Sequence, residues 1–205
     1  HYYEGRIYQN AGQGDLAMKS FIKAREVEGP ITDTLTLGNL LVAQATYYYS
    51  TYKVKEFIAN NQQAARLYEA IGHSYYQFRS LLNTLDGSIL NNDKPLADSI
   101  LTCCRSEIEK HPDYEASLLS YILSYTITFG SDEEIRTAIE SCLDKKNLSR
   151  NAKLKMALGY SKIGEAEKAL QIFAEASPSN SLSYLAIQMQ VLKSNEKYKE
   201  ALDAY

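Results

Sequence analysis

Residues 160–176 read YSKIGEAEKALQIFAEA, and residues 8–24 read YQNAGQGDLAMKSFIKA. Five residues recur at the same spacing in both stretches, and in the later stretch they are Tyr160, Gly164, Ala169, Phe173 and Ala176. A single glycine suits a helix end, and small residues let two helices cross closely while an aromatic ring fills the space beside them. The pattern therefore predicts two helices joined by a tight turn.

The register marked by Ala17 returns along the chain, and the step from one marker to the next shortens gradually. The equivalent small or apolar residues are Phe57, Ala97, Ile135, Ala169 and Ala201. A recurrence of this kind predicts stacked helical hairpins. We expect one all-α repeat domain over residues 1–205, with about five hairpins and a partial sixth. His1 and Tyr205 both fall inside expected helices, so we expect the sequence to be a fragment of a longer protein.

Residues 113–143 show the local pattern of one hairpin. Apolar residues follow steps of three and four up to Phe129, which places them on one helical face. Gly130 is expected to end this helix in the left-handed conformation. Ser131 and Glu134 form a predicted capping box at the start of the next helix.

Other helix ends are marked by single residues. Gly72 is expected to end one helix, and Gly164 to let the chain turn without a steric penalty. Asp93 or Asn92 is expected to cap a helix that carries Pro95 in its first turn.

The unit around residues 37–72 is the least regular. Phe57 stands where a small residue is usual, and Asn61 where an aromatic residue is usual. Thr84 and Ser88 depart from the pattern in the following helix. We expect these departures to shift the register locally and to leave the fold unchanged.

Length and composition indicate a folded domain, since 45% of the 205 residues are hydrophobic and 23% are charged. The formal net charge of −3 disfavours nucleic-acid binding, including RNA binding by a helical repeat, because such proteins present basic surfaces. The sequence has no apolar run near the roughly 18 to 20 residues that span a bilayer. We expect no membrane contact by this stretch of chain.

The sequence shows no spacing typical of catalysis or of metal binding. Cys104 and Cys142 fall at equivalent small positions of successive second helices, which favours burial as small apolar residues, and Cys103 is adjacent to the first of them. The cysteine spacing is not that of a zinc site. His73 and His111 lie at expected turns, away from any visible pairing of base and nucleophile. We therefore expect no enzyme activity, no metal and no cofactor.

A run of three tyrosines, Tyr47 to Tyr49, looks like an aromatic binding strip. Consecutive helical residues point about 100° apart, so the three rings cannot share one face. Tyr48 aligns with the packing residues Tyr8 and Tyr160. Tyr49 is therefore the ring expected to turn toward a binding surface.

With these motifs the chain resembles the tetratricopeptide repeat family along nearly its whole length, most closely at residues 1–30 and 150–177. Residues 62–76, which read QQAARLYEAIGHSYY, resemble the extended variant of that repeat. The resemblance implies a right-handed α-α superhelix, a solenoid of helical hairpins. In this family the first helix of each hairpin lines a concave groove that receives peptides or helices.

Carried onto this chain, the groove implies a set of binding candidates on the first helices. They are Arg6, Gln9, Asn10, Asn39, Thr46, Tyr49, Arg79, Asp86, Ser117, Ser120, Ser124, Asn151, Ser161 and Lys162. This surface is polar and of mixed charge. The family's clamp for peptide carboxylates has lysine and asparagine where this chain has Tyr2 and Arg6, which disfavours recognition of a chaperone C-terminus.

Two functions are consistent with these expectations. The first is a non-catalytic scaffold that binds a protein or peptide partner in the groove. The longer, tyrosine-rich units look like bacterial repeat regions that precede a membrane helix and an output domain. That likeness implies the sensory or interaction region of a larger bacterial regulator, either membrane-tethered or cytoplasmic. The alternative is an accessory substrate-binding domain of an enzyme whose catalytic part lies outside this sequence.

Overall fold

The structure is a computed structural model that describes residues 1–27, 33–143, 145, 148–176, 178–179 and 181–194. These residues are predominantly helical, and successive helices pack in chain order, which confirms the all-α prediction. The contacts divide the chain into two compact units, residues 1–111 and residues 112–205.

The helices pair as successive hairpins. The α-helices in the described part of the chain are α1 (Tyr2–Asn10), α2 (Gly14–Val27), α3 (Thr34–Ser50), α4 (Val54–Ala70), α5 (Ser74–Leu90), α6 (Lys94–Lys110), α7 (Glu115–Phe129), α8 (Asp132–Leu143), α9 (Arg150–Lys162), α10 (Ala166–Ala174) and α11 (Leu182–Ser194). A short 3₁₀ turn, Pro112–Tyr114, precedes α7. Ala201 and Tyr205, expected in a further second helix, lie outside the described residues.

One turn geometry recurs between helices. A residue with positive φ occupies the same place in five turns, and these residues are Gly12, Tyr52, Gly72, Asn92 and Gly164. The next backbone N–H donates to the carbonyl five positions earlier, as from Glu165 to Tyr160 at 2.9 Å. This bond satisfies a carbonyl at the helix end that has no partner inside the helix. The predicted roles of Gly72 and Gly164 are confirmed.

Helices α3 to α6 follow a shorter period than the hairpin. They begin at residues 34, 54, 74 and 94, and each contains 17 residues. The turn between α4 and α5 has the same geometry as the turns within hairpins, and α4 packs as extensively against α5 as against α3. In this segment the repeating element is therefore one helix and one turn.

Tyr52 is held in the left-handed region, with φ of 58°, and its side chain is 86% exposed. This conformation costs a non-glycine residue roughly 1–2 kcal/mol, and an exposed ring offers little packing in return. Tyr52→Gly is therefore expected to raise the free energy of unfolding by about 1 kcal/mol, measured from the denaturant midpoint. Asn92→Gly is the matched comparison and should gain less, because asparagine tolerates this region. A loss of stability in Tyr52→Gly would contradict the strain argument.

The predicted helix caps are largely present. Ser131 and Glu134 form the capping box: the Ser131 N–H donates to Glu134 Oε2 at 2.7 Å, and the Glu134 N–H donates to Ser131 Oγ at 3.3 Å. Asp93 accepts from the Leu96 N–H at 3.2 Å, and Pro95 lies in the first turn of α6. Both predictions are confirmed.

The left-handed stop predicted at Gly130 is wrong. Gly130 has φ of −90° and ψ of 165°, which is extended backbone. Glycine is accommodated there for a different reason, since a Cβ at this position would lie 2.7 Å from the Thr126 carbonyl oxygen. Glycine is therefore required at position 130 because a backbone oxygen lies close to it, and not because its φ is positive.

The first unit packs large residues of second helices against glycines of first helices. A Cβ on Gly38 in α3 would lie 2.8 Å from Cε1 of Tyr68 in α4. A Cβ on Gly87 in α5 would lie 2.9 Å from Cδ1 of Phe57 in α4. The large residue at position 57 is thus accommodated by a missing side chain on the neighbouring helix.

Fully buried polar residues occur on α4 and α5. Asn61, Thr84 and Ser88 are each fully buried, at 0% exposure. Their side chains donate to backbone carbonyls three or four residues back at 2.8–2.9 Å, and the side-chain Oδ1 of Asn61 accepts from Asn83 Nδ2 at 3.0 Å. The irregular residues therefore satisfy their own hydrogen bonds inside an otherwise regular helical segment.

The second unit is centred on α9, which packs against α7, α8, α10 and α11. The predicted small positions Ala169 and Ala176 are buried, and so is Ala157. Phe173 packs against Tyr184 of α11 with ring centroids 5.1 Å apart. The hairpin predicted from residues 160–176 is therefore present, with its small residues at the helix contacts.

Candidate functional site

In the first unit the predicted groove residues lie on α1, α3 and α5, and we call this set of residues the first-helix face. Its members are Arg6, Gln9, Asn10, Asn39, Thr46, Tyr49, Arg79 and Asp86. Arg6, Thr46 and Asp86 each lie six residues before the positive-φ residue of their own turn. Equivalent positions of three successive first helices thus carry a cation, a hydroxyl and an anion.

Two side-chain contacts join these three helices. Gln9 Nε2 donates to the Ala43 carbonyl oxygen at 3.2 Å, which ties α1 to α3. Tyr49 is hydrogen-bonded to Asp86, which ties α3 to α5. The Tyr49 ring also packs on Phe57 with centroids 5.1 Å apart, yet 48% of the residue remains exposed. The face is therefore held in place by contacts within the unit and still offers an accessible ring.

The pKa of Tyr49 is raised, first by burial and then by the negative charge of Asp86. The phenol is therefore neutral at physiological pH and serves as the hydrogen-bond donor to the carboxylate. Its ring is positioned by this bond and by Phe57 together.

An aromatic cluster lies beside Arg79. Tyr76 has its ring centroid 5.4 Å from that of Tyr68 and 5.6 Å from that of Tyr75. The Arg79 guanidinium lies over the Tyr75 ring at 5.9 Å. Tyr68 Oη donates to Asn39 Oδ1 at 2.9 Å. The cluster thus connects the two groove candidates Asn39 and Arg79 through tyrosine rings.

Burial raises the pKa of Tyr68 to about 12, with Tyr2 and Tyr76 adding smaller contributions and Arg79 opposing them. The Tyr68 hydroxyl therefore stays protonated. It fixes the orientation of the Asn39 amide, whose Oδ1 is the acceptor.

Tyr75, Tyr76 and Asn83 were not among the predicted binding candidates, although they neighbour Arg79 on α5. Tyr75 is 50% exposed and Tyr76 is 38% exposed. The available signal was helical spacing, since Tyr75 and Tyr76 precede Arg79 by four and three residues and Asn83 follows it by four. Those steps place them all on one side of α5.

In the second unit the predicted residues have several kinds of environment. Ser117 and Asn151 are exposed, Ser120 is half-buried, and Ser124 is buried at 9% exposure. Ser161 Oγ donates to the Gln190 carbonyl oxygen at 3.5 Å, and Lys162 Nζ donates to the Ile127 carbonyl oxygen. Ser161 and Lys162 thus join α9 to its neighbours within the unit. Ser117, Ser120 and Asn151 remain accessible and resemble the polar surface of the first unit.

The predicted burial of Cys104 and Cys142 is confirmed. Cys104 and Cys142 are buried, and Cys103 is exposed. Burial raises the pKa of Cys104 to about 12 and also raises that of Cys142. Both thiols are protonated at neutral pH, which suits packing and not nucleophilic attack. Among the residues that the structure describes, no group of three histidine, cysteine or acidic side chains is arranged to hold a metal ion.

No protein-family model matches the chain, and no curated protein sequence is significantly similar to it. Within the described ranges, none of the helices combines the length and apolar character needed to cross a bilayer.

Proposed function

We propose that this chain is a non-catalytic protein-interaction scaffold of the tetratricopeptide type, which binds a peptide or helix of a partner protein on the first-helix face. The proposal extends to a right-handed superhelical arrangement of the hairpins. Support comes from the repeated spacing of residues 8–24 and 160–176, from the packing of helices in chain order and from the turn shared by five connections.

One observation carries the proposal: Tyr49 and Arg79 are exposed on a surface whose three helices are tied together by side-chain bonds. Tyrosine and arginine are the residue types that dominate binding energy at protein interfaces. A tyrosine already oriented by Phe57 and Asp86 loses little rotamer freedom when a partner binds. Preorganised contact residues of this kind suit recognition.

The charges on α5 indicate which charges a bound segment would carry and how far apart they would lie. Arg79 and Asp86 are seven residues apart, which is about 10.5 Å along a helix. An extended peptide covers that distance in about three residues, at roughly 3.3 Å per residue. The face therefore suits a segment with an acidic and a basic residue about three positions apart, flanked by apolar residues that pack on the tyrosines.

The test is selection of short peptides from a random library on the whole chain, followed by affinity measurement with purified variants. Tyr49→Ala with Arg79→Ala is expected to weaken binding of the selected peptides at least tenfold, with circular dichroism spectrum and melting temperature largely unchanged. The matched control is Ile22→Ala with Arg105→Ala, which removes an exposed apolar side chain and an exposed guanidinium from the second helices α2 and α6. Peptides that bind all three proteins equally would exclude the first-helix face as the binding surface.

A further inference from the structure

A cavity of about 340 Å³ lies in the first unit between α4, α5 and α6. It is formed by residues that do not belong to the first-helix face. Its apolar lining comes from Ala65 of α4, Leu81 of α5 and Ile100 of α6. This volume is at the lower end of the range for small-molecule sites, and a partly apolar lining is their usual character.

Four charged residues line the same cavity. Arg66 and Glu69 belong to α4, and Glu107 and Lys110 belong to α6. Each pair is three residues apart, so both members lie on one side of their helix. The cavity therefore combines two cations and two anions, and its formal charge is balanced.

The carboxylate of Glu107 is the most enclosed of these groups, because its side chain is only 9% exposed. It accepts a hydrogen bond from Lys110 Nζ at 2.7 Å, while the lysine side chain itself is 62% exposed. The pKa of Lys110 is raised mainly by its hydrogen bond to Glu107, and Glu69 and Glu109 add smaller effects. Glu69 and Glu107 thus both line the cavity within electrostatic reach of the same ammonium.

Arg66 is exposed, and within the part of the chain that the structure describes its guanidinium forms no ion pair within 4 Å. Glu69 is likewise exposed and without such a pair, whereas Glu107 and Lys110 pair with each other. If the Glu107–Lys110 pair served only to pack α6, neither the open cavity nor the Arg66 guanidinium beside it would be needed. A ligand that carries a carboxylate would use both features, because a guanidinium pairs strongly with a carboxylate.

We propose that this cavity binds a small zwitterion with an apolar side chain, of the class of free aliphatic α-amino acids. The ligand carboxylate pairs with Arg66, its ammonium group faces Glu69 and Glu107, and its side chain packs on Leu81 and Ile100. A balanced site disfavours a simple anion or a simple cation, because each would leave one pair of protein charges without a complementary partner. The proposal is independent of the first-helix face, so either can fail alone.

The test is a ligand titration of the ¹⁵N-labelled chain, in which NMR records the chemical shifts of the backbone amides in α4, α5 and α6. The probes are L-leucine, isopentylamine, which lacks the carboxylate, and 4-methylpentanoate, which lacks the ammonium group. L-leucine is expected to bind at least tenfold more tightly than either of the other two. Shifts that are equal for L-leucine and isopentylamine, or absent for L-leucine, would overturn the proposal.

Two variants locate the charges. Arg66→Gln should reduce the affinity for L-leucine at least tenfold, to the level of isopentylamine, while leaving the binding of isopentylamine unchanged. Lys55→Gln is the control, since it removes an exposed cation from the same helix outside the cavity. Equal losses in the two variants would assign any binding to general charge and would refute the site.

Discussion

Replacement of Asn61 by aspartate is expected to lower the free energy of unfolding by about 3–5 kcal/mol at neutral pH. Asn61 is fully buried; its amide nitrogen donates to the Phe57 carbonyl oxygen at 2.9 Å, and its oxygen accepts from Asn83 at 3.0 Å. Aspartate retains the acceptor and loses the donor. It also places an unpaired negative charge against the Phe57 carbonyl oxygen, where water cannot solvate it.

The loss in Asn61→Asp should depend on pH with a definite sign. Burial raises the pKa of the introduced carboxyl group above its value in the unfolded chain. Between those two values the folded state holds the extra proton, so the free energy of unfolding falls as pH rises. The penalty should therefore be smallest in acid, below the pKa of the unfolded chain, and largest above the folded value.

Denaturant unfolding of Asn61→Asp and of the unmodified protein, measured side by side from pH 4 to pH 8, checks this expectation. Asn61→Leu is the control, because it removes the same hydrogen bonds without adding a titratable group. Its deficit should be independent of pH. A deficit in Asn61→Asp that stays constant over this range would show that the carboxyl group escapes burial.

Replacement of Tyr68 by alanine should cost about 3–5 kcal/mol, the range for large aromatic residues in a core. Tyr68 is 2% exposed, packs on Gly38, and donates to Asn39 at 2.9 Å. Alanine would leave a cavity between α3 and α4 and would free the Asn39 side chain on the first-helix face.

A double-mutant cycle with Gly38 makes this expectation sharper. Gly38→Ala alone should destabilise by about 1–3 kcal/mol, because the new Cβ would lie 2.8 Å from the Tyr68 ring. In the Tyr68→Ala background the same change should stabilise by about 0.5–1 kcal/mol, because alanine is favoured over glycine inside a helix. Thermal or denaturant unfolding of the four proteins measures both values. An effect of the same sign in both backgrounds would rule out contact with the ring as the reason for glycine.

Local features of this chain were predictable from the sequence. Helical steps of three and four, the single glycines at positions 72 and 164, and the capping box of Ser131 and Glu134 all involve residues close in the chain. The predicted burial of Cys104 and Cys142 also holds, because the hairpin period alone identifies the small contact positions. Interactions within one or two helical turns depend little on the remainder of the fold.

Gly130 shows where local reasoning fails. A glycine after an apolar helix is typical of a left-handed stop, but here the backbone is extended and the constraint is the Thr126 carbonyl oxygen. Spacing cannot distinguish a glycine required by its own φ from one required by a neighbouring atom. Phe57 is a similar case, because its large ring fits only where Gly87 of the next helix removes a side chain.

The sequence by itself determined the helices, most of their ends and the contact positions of the hairpins, because periodicity and capping act over a few residues. Only the tertiary structure decided that Asn61 and Thr84 are buried and hydrogen-bonded, that Tyr49 reaches Asp86, and that charges from α4 and α6 meet across one cavity. Burial and pairing depend on which side chains arrive from other helices. That information resides in distances between residues that are far apart in the chain, and a single sequence does not display it.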